Sequence, residues 1–397
     1  MQKVAILGDI HLGKGMSLGK AIPGTYLNTR IADQFKILDW FLYKCDEQHI
    51  NNIILTGDVF EEPKPPPFLI SLFIDWLKKC QHLNIKVHII YGNHDFIRVG
   101  SQYSSPLDII NYSDLNDIYV YNDVSTIYIE ETAFTLIPFK DRKSLECKTN
   151  SEAVDILSNL IEYERLMIPL TYKKIAIGHL ALEKALFVGD DVEDIGNELI
   201  MPLSTFDNYD NVWMGHVHKP QILKNKPYIA HIGSMDVSNF DETDDQKIIV
   251  VYDCIEHKFT SMVIPTRRLK NINLEIKDYV EDSTQYIIDQ IDKLEIDNCI
   301  VKLQINIENQ DVHSIKKSKI EKKLHDKGVF HIYGIQEIKK SKIVKKENVK
   351  DDVNFNTKID INSAIKSYAD NFVKKELSSK FIETCNKILL TFNQEKK

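Results

Sequence analysis

The chain has no apolar run approaching the roughly 18 consecutive residues of a membrane-spanning helix, so no membrane partner is expected. Nor does it open like a secretory leader. The apolar part of "MQKVAILGD" is short and runs directly into a polar motif, which predicts a cytoplasmic location. The six cysteines (Cys45, Cys80, Cys147, Cys254, Cys299 and Cys385) stand far apart and form no C-x-x-C pair. That excludes a disulfide framework or a cysteine-ligated zinc knuckle, and predicts reduced, mostly buried thiols. There is no internal repeat and no recognisable serine or cysteine nucleophile motif.

What is present is the composition of an ordinary globular protein. Of 397 residues, 43% are apolar and 27% charged, a length that suggests two domains. The net charge of −8 argues against a nucleic-acid ligand until its distribution is considered. From Leu269 onward the chain carries roughly +3, which leaves roughly −11 on the first two thirds. Carboxylates that hold divalent cations reverse the local field, so an acidic first part does not exclude a polyanionic substrate.

The first part alternates short apolar runs with helical periodicity. "KVAILGD", "NNIILTGD" and "IKVHIIYGNHD" read as strands, and "RIADQFKILDWFLYKCDEQ" and "FLISLFIDWLKKCQHLN" as amphipathic helices. Near-continuous apolar strands in such units argue for a sheet covered by helices on both faces. After Asn116 strand-like segments dominate, with shorter connections. The expected fold class is α/β (α+β), a two-sheet β-sandwich flanked by helices over residues 1–265. A β-α-β-α-β pattern predicts a small α/β unit over 266–340, a polar lysine-rich linker over 341–360 and amphipathic helix over 361–397.

Five of the predicted strands end alike, in glycine followed by a ligand-type side chain. "VAILGDIHLG" supplies Asp9 and His11, "IILTGDVFEE" Asp58, and "HIIYGNHDF" Asn93, His94 and Asp95. "IAIGHLALE" supplies His179, and "VWMGHVHKP" His216 and His218. Singly, each is an ordinary turn. Together they gather at the carboxyl ends of strands, where ligands collect in open α/β sheets. The glycines let the backbone turn sharply and keep a crowded rim open. Two Asp, four His and one Asn make an oxygen and nitrogen set without thiolate, suited to manganese, iron or zinc rather than calcium. Seven donors exceed one tetrahedral ion and suit two ions sharing a carboxylate.

The series D-x-H, G-D-x-F, G-N-H-D, G-H and G-H-x-H resembles the calcineurin-like metallophosphoesterases. More narrowly, "GDIHLG", "GDVFEE", "GHVHKPQIL" and "IGSM" look like the SbcD nuclease family. The resemblance covers about residues 1–265 and extends loosely through 266–340. It implies that Asp9, His11 and His218 bind one manganese, that Asn93, His179 and His216 bind the other, and that Asp58 bridges them. It further implies that His94 faces the phosphodiester and that Asp95 hydrogen-bonds and orients His94. The implied activity is manganese-dependent hydrolysis of DNA phosphodiesters by a two-metal-activated water, in an SbcCD-like complex for end processing, repair or recombination. The alternative is a stand-alone metallophosphoesterase of small-molecule or protein phosphoesters.

The resemblance also makes 266–340 a capping domain and 361–397 the segment that grips the coiled-coil base of an SbcC-like ATPase. Glu61 departs from the family pattern, standing where some members carry a histidine. The acidic residues Asp190, Asp191, Glu193 and Asp194 read as a solvated loop. Phe68, Leu72, Phe73, Trp76 and Leu77 form a wide apolar helical surface that serves either the core or the family's homodimer. The run from Lys316 to Lys346 holds eleven lysines against three acids, enough to contact phosphates, although a solvated helix face and linker is the favoured reading.

Overall fold

The computed structural model describes residues 2–99, 102–187, 198–277, 280–307 and 315–339, with 381, 384 and 385. The acidic residues at 190–194, the linker and nearly all of the terminal segment lie outside the described residues.

Two six-stranded mixed sheets face each other. The first contains β1 (Lys3–Leu7), β2 (Asn52–Leu55), β3 (Lys86–Ile90), β6 (Ile118–Tyr121), β15 (Ile248–Asp253) and β16 (Lys258–Val263). Their order is β16-β15-β1-β2-β3-β6. The second contains β7 (Ser125–Ile129), β8 (Thr132–Ile137), β9 (Lys173–Gly178), β12 (Asn211–Met214), β13 (Gln221–Asn225) and β14 (Tyr228–His231). Here the order is β13-β14-β12-β9-β8-β7. In both sheets four parallel strands carry antiparallel strands at the margin. Two small pairings complete this part: β4 (Ile97–Val99) with β5 (Gln102–Ser104), and β10 (Ala181–Leu182) with β11 (Ile200–Met201).

Alternation along each strand explains the layering, because successive side chains point to opposite faces. Val4 and Ile6 of β1 turn inward against Phe134, Ile177 and Trp213 of the second sheet. Ala5 and Leu7 turn outward against helices α1 (Thr29–Glu47) and α2 (Pro67–His82). Helix α3 (Asn150–Met167) covers the outer face of the second sheet through Leu157 and Ile161. The first sheet therefore carries helices on one face only, its other face being the sandwich interior. The expectation of helices on both faces misses this because a strand buried under a second sheet has the same apolar composition as one buried under a helix.

Helix ends follow local chemistry. The Asn28 side chain accepts from the Arg30 amide at the start of α1, and Thr149 accepts from Glu152 at the start of α3. Pro67 occupies the first position of α2, where its missing N–H costs nothing. On α2, Phe73, Trp76 and Leu77 are fully buried, and Trp76 Nε1 donates to the Leu38 carbonyl at 3.1 Å. Phe68 and Leu72 are partly buried against the same cluster. The helix thus spends most of its apolar surface on the core.

A three-stranded parallel sheet follows, in the order β17 (Leu269–Ile276), β18 (Ile300–Ile307) and β19 (His331–Lys339). Helices α4 (Ser283–Asp292) and α5 (Lys317–Asp326) pack on it through Ile287, Ile291, Ile320 and Leu324. Leu18 and Val237 meet Leu269 and Ile300 where this sheet joins the sandwich. A row of charges crosses the same junction. Arg267 holds Asp33 with two bonds of 2.7 Å, Asp33 faces Arg30 at 3.2 Å, and Arg30 holds Asp236 at 2.5 Å.

Candidate metal centre

The carboxyl ends of β1, β2, β3, β9 and β12 meet at one rim of the sandwich. The Asp9 carboxylate accepts from the His216 amide at 2.7 Å, and its backbone oxygen accepts from the Met235 amide at 2.7 Å. His11 Nε2 and His218 Nε2 lie 3.0 Å apart. On the other side, Asn93 Oδ1 lies 2.8 Å from His179 Nε2 and 3.1 Å from His216 Nδ1. Asp58 stands between the two groups, with Oδ2 3.4 Å from His11 Nε2 and 3.3 Å from His179 Nε2. All seven expected donors therefore come together as two clusters about one carboxylate. Ligand-capable atoms of Asp9, His11 and His218 lie within 4.8 Å of one another, as do those of His11, Asp58 and His94.

Backbone geometry underwrites this crowding. His11, Asp58 and His216 adopt φ of 46°, 47° and 77°, a left-handed conformation that costs a non-glycine residue about 1–3 kcal/mol. Two glycines make room. A Cβ on Gly92 would meet Asp58 Oδ1 at 2.0 Å, and one on Gly215 would meet Asp9 Oδ1 at 2.3 Å. Gly92 has extended φ and ψ of −96° and 179°, so its role is space rather than conformational freedom.

Electrostatics fit a cationic occupant. Burial alone would raise the Asp58 carboxyl, but the facing His179 and His11 hold it well below the usual carboxylate range. Burial disfavours charge on His179, yet the Asp58 and Asp9 carboxylates push its pKa well above the ordinary value. The His179 side of the pocket therefore stabilises added positive charge, whereas burial pushes the His11 imidazole down. His179 Nδ1 lies 2.9 Å from the Thr56 carbonyl, an acceptor only, so Nδ1 carries a proton and Nε2 turns inward toward Asp58 and Asn93. Imidazole nitrogens, carboxylate oxygens and an amide oxygen aimed at common points are the donor chemistry of divalent first-row metals.

One expectation changes. Asp95 does not orient His94. Its carboxylate accepts from the amides of Val59 at 2.9 Å and Gly92 at 2.8 Å, bracing the loop that holds Asn93. Burial, with the Asp58 charge, pushes the Asp95 carboxyl up to about 7. His94 Nδ1 instead lies 2.7 Å from the Glu61 carbonyl oxygen, and the His94 amide donates to Asp58 Oδ1 at 2.8 Å. The geometric reason is local: in the single 3-10 turn of residues 93–95 the Asp95 side chain folds back onto the Gly92 amide. Glu61, the departure from the family pattern, is at the site too. Its Oε2 approaches His11 Nδ1 to 2.8 Å and its Oε1 lies 3.5 Å from Lys14 Nζ.

One acidic residue escapes sequence reasoning altogether. Glu198 Oε2 lies 2.8 Å from His216 Nε2. It precedes its partner by 18 residues and belongs to none of the five strand-end motifs.

The fold, the two donor clusters and their shared carboxylate define a phosphoesterase-type centre. The chain belongs to the calcineurin-like phosphoesterase family, whose model matches residues 2–220. It is thus a metallophosphoesterase hydrolase, of a fold that uses two divalent metal ions. Among curated proteins it is similar to the SbcD component of the nuclease SbcCD of Escherichia coli strain K12, 22% identical over 261 residues. That match spans 61% of this chain and 62% of the relative, and the same protein of strain O157:H7 matches equally. Among solved structures, a dimetal phosphatase from Danio rerio aligns at 11% identity and TM-score 0.41, over 66% of this chain and 95% of its own. A nuclease, MPE, of Pseudomonas putida aligns at 20% identity and TM-score 0.23, over 47% of this chain and 64% of its own.

Proposed function

We propose that the protein is a manganese-dependent DNA nuclease and the nuclease component of an SbcCD-like complex, working with an SbcC-like ATPase and as a homodimer. The observation that carries the reading is the pair of histidine clusters about Asp58, with His94 beside it and the SbcD-like motifs along the same strands. Asp9, His11 and His218 would hold one ion, Asn93, His179 and His216 the other, and Asp58 would bridge. Two such ions polarise a phosphodiester and lower the pKa of an attacking water when bound.

The chain's own groups do the rest. Asp58 keeps both clusters in register and fixes the His94 amide at 2.8 Å. The Glu61 carbonyl occupies His94 Nδ1, leaving Nε2 as the atom to face the leaving oxygen of the phosphodiester. Asp95 holds the 93–95 turn in shape through backbone amides. Residues 266–340 act as a capping domain over DNA. Residues 341–360 and 361–397, as linker and ATPase-binding helices, remain expectations from sequence alone.

The test is cleavage of double-stranded DNA with manganese by wild type, Asp58→Ala, His94→Ala and Asn93→Ala proteins. His94→Ala should lose cleavage of about 100-fold or more while keeping both ions, as expected for a group acting on a proton. Asn93→Ala should weaken one ion, and Asp58→Ala both. Hydrolysis of a nitrophenyl phosphodiester without any cleavage of DNA, even with the ATPase present, would leave the stand-alone phosphoesterase as the correct reading.

A further inference from the structure

The pairing of β10 with β11 is only two residues long, yet it brings a distant acid to the metal rim. The strands run parallel with Ala181 opposite Ile200 and Leu182 opposite Met201. Carried back two residues, the same register sets Glu198 beside His179, and hence beside His216, whose Nδ1 lies 3.3 Å from His179 Nε2. Leu199 and Met201 are buried on either side of Ile200, and the Leu203 amide donates to Glu183 Oε1 at 3.0 Å, so the segment is anchored at both strands. The Glu198 backbone oxygen also accepts from Asn150 Nδ2 at 3.4 Å.

The contact itself is nearly dry, the side chains of His216 and Glu198 being 8% and 9% accessible. A carboxylate is an acceptor only, so at 2.8 Å the His216 Nε2 must carry the hydrogen. Nδ1 is then the nitrogen turned toward Asn93 Oδ1 and His179 Nε2. His179 is set in the opposite sense, with Nδ1 donating to Thr56 and Nε2 inward. The two histidines of this cluster thus present different nitrogens to one point, and each is fixed by an acceptor on its far side. Glu198 lies beyond the His216 ring from that point and so cannot itself be a ligand without displacing the ring.

We infer that Glu198 is a positioning residue for the second metal site. It locks His216 in the tautomer and ring orientation that offers Nδ1. Nothing in the strand-end motifs supplies this group. The inference rests on the two-metal reading above, in which His216 is a ligand. Outer carboxylates of this kind typically contribute 10–100-fold in metal affinity.

The experiment is manganese titration calorimetry on the full chain for wild type, Glu198→Ala, Glu198→Gln and His216→Ala, with melting temperatures measured alongside. The ring-nitrogen NMR signals of His216 are recorded in metal-free protein. Glu198→Ala should weaken one of two manganese equivalents by about 10–100-fold and leave the other unchanged. The His216 signal should move from a single Nε2–H tautomer to a mixture. Glu198→Gln, whose amide oxygen still accepts from Nε2–H, should restore affinity to within about threefold and restore the tautomer. Unchanged affinity in Glu198→Ala overturns the inference, and so does an equal loss in Glu198→Gln, which would make the effect one of charge. Failure of the underlying reading looks different: wild type takes up fewer than two manganese ions, or His216→Ala binds as wild type does.

Discussion

Substituting Gly92 by alanine tests whether the site is limited by volume. The backbone of Gly92 is extended and open to any L-residue, so the substitution brings no conformational penalty of its own. What it brings is a methyl 2.0 Å from Asp58 Oδ1 and 2.4 Å from the Asp58 amide nitrogen. Since Cβ contacts under 3.0 Å are essentially never seen, Asp58 must retreat by about 1 Å. Metal sites tolerate displacements of only about 0.2 Å. Overpacking of this sort costs about 1–3 kcal/mol, so the variant should still fold. Because Asp58 faces both clusters, manganese calorimetry should reveal weakening of both ions, by at least about 10–100-fold. Gly334→Ala on β19, where an added Cβ meets nothing within 4 Å, is the neutral control. A Gly92→Ala protein that binds two ions and cleaves like wild type would refute the reasoning.

Two further outcomes concern stability. His88 is buried on β3, stacked on Tyr119 and 2.9 Å from the Tyr121 hydroxyl, and burial pushes its pKa down to about 4. The unfolded chain binds this proton near pH 6.5 and the folded one does not, so stability falls as pH drops from 6.5 toward 4. Between pH 7.5 and 5 the loss from this group is about 2 kcal/mol; urea unfolding of His88→Phe should lack that component, and an identical pH slope in the variant would contradict it. Arg30→Met should destabilise by about 3–5 kcal/mol, because Asp236 then keeps a buried charge without its cation. Adding Asp236→Asn should recover part of that loss in thermal melts, whereas strictly additive losses would count against the coupling.

The strand ends were legible because their signal is local: an apolar run, a glycine, a donor. Order along the chain then sufficed to assemble Asp9, His11, Asp58, Asn93, His179, His216 and His218, as their geometry agrees. Legibility stopped where a contact depends on what lies across the rim. Nothing near Glu198 announces His216, and nothing near His179 announces the Thr56 carbonyl, 123 residues away. His94 next to Asp95 suggested a pair, but adjacent residues in one tight turn diverge, and the partners were a distant carbonyl and two amides. The Glu61 side chain shows the reverse case, a position flagged as a departure that nevertheless touches a donor histidine. The helix-flanked sandwich is legible in the strand and helix patterns, whereas the face of each strand that meets the second sheet is not, since apolar strands look alike under either cover.

The charge row at residue 267 bears on how the molecule divides. A cut after residue 265, where the composition changes, would look like a clean separation of two folds. It would remove Arg267 from Asp33, which keeps Arg30 and Lys36, and would uncover Leu18 and Val237, now covered by Leu269 and Ile300. Met235, whose amide holds the Asp9 carbonyl, is the immediate neighbour of the carboxylate at the far end of the row. Truncated at that seam, the sandwich would be left with an acidic, greasy scar one residue from the loop that steadies Asp9. The three-stranded sheet therefore covers apolar and charged surface that the sandwich would otherwise expose, and a fragment meant to isolate the rim needs residues through 339.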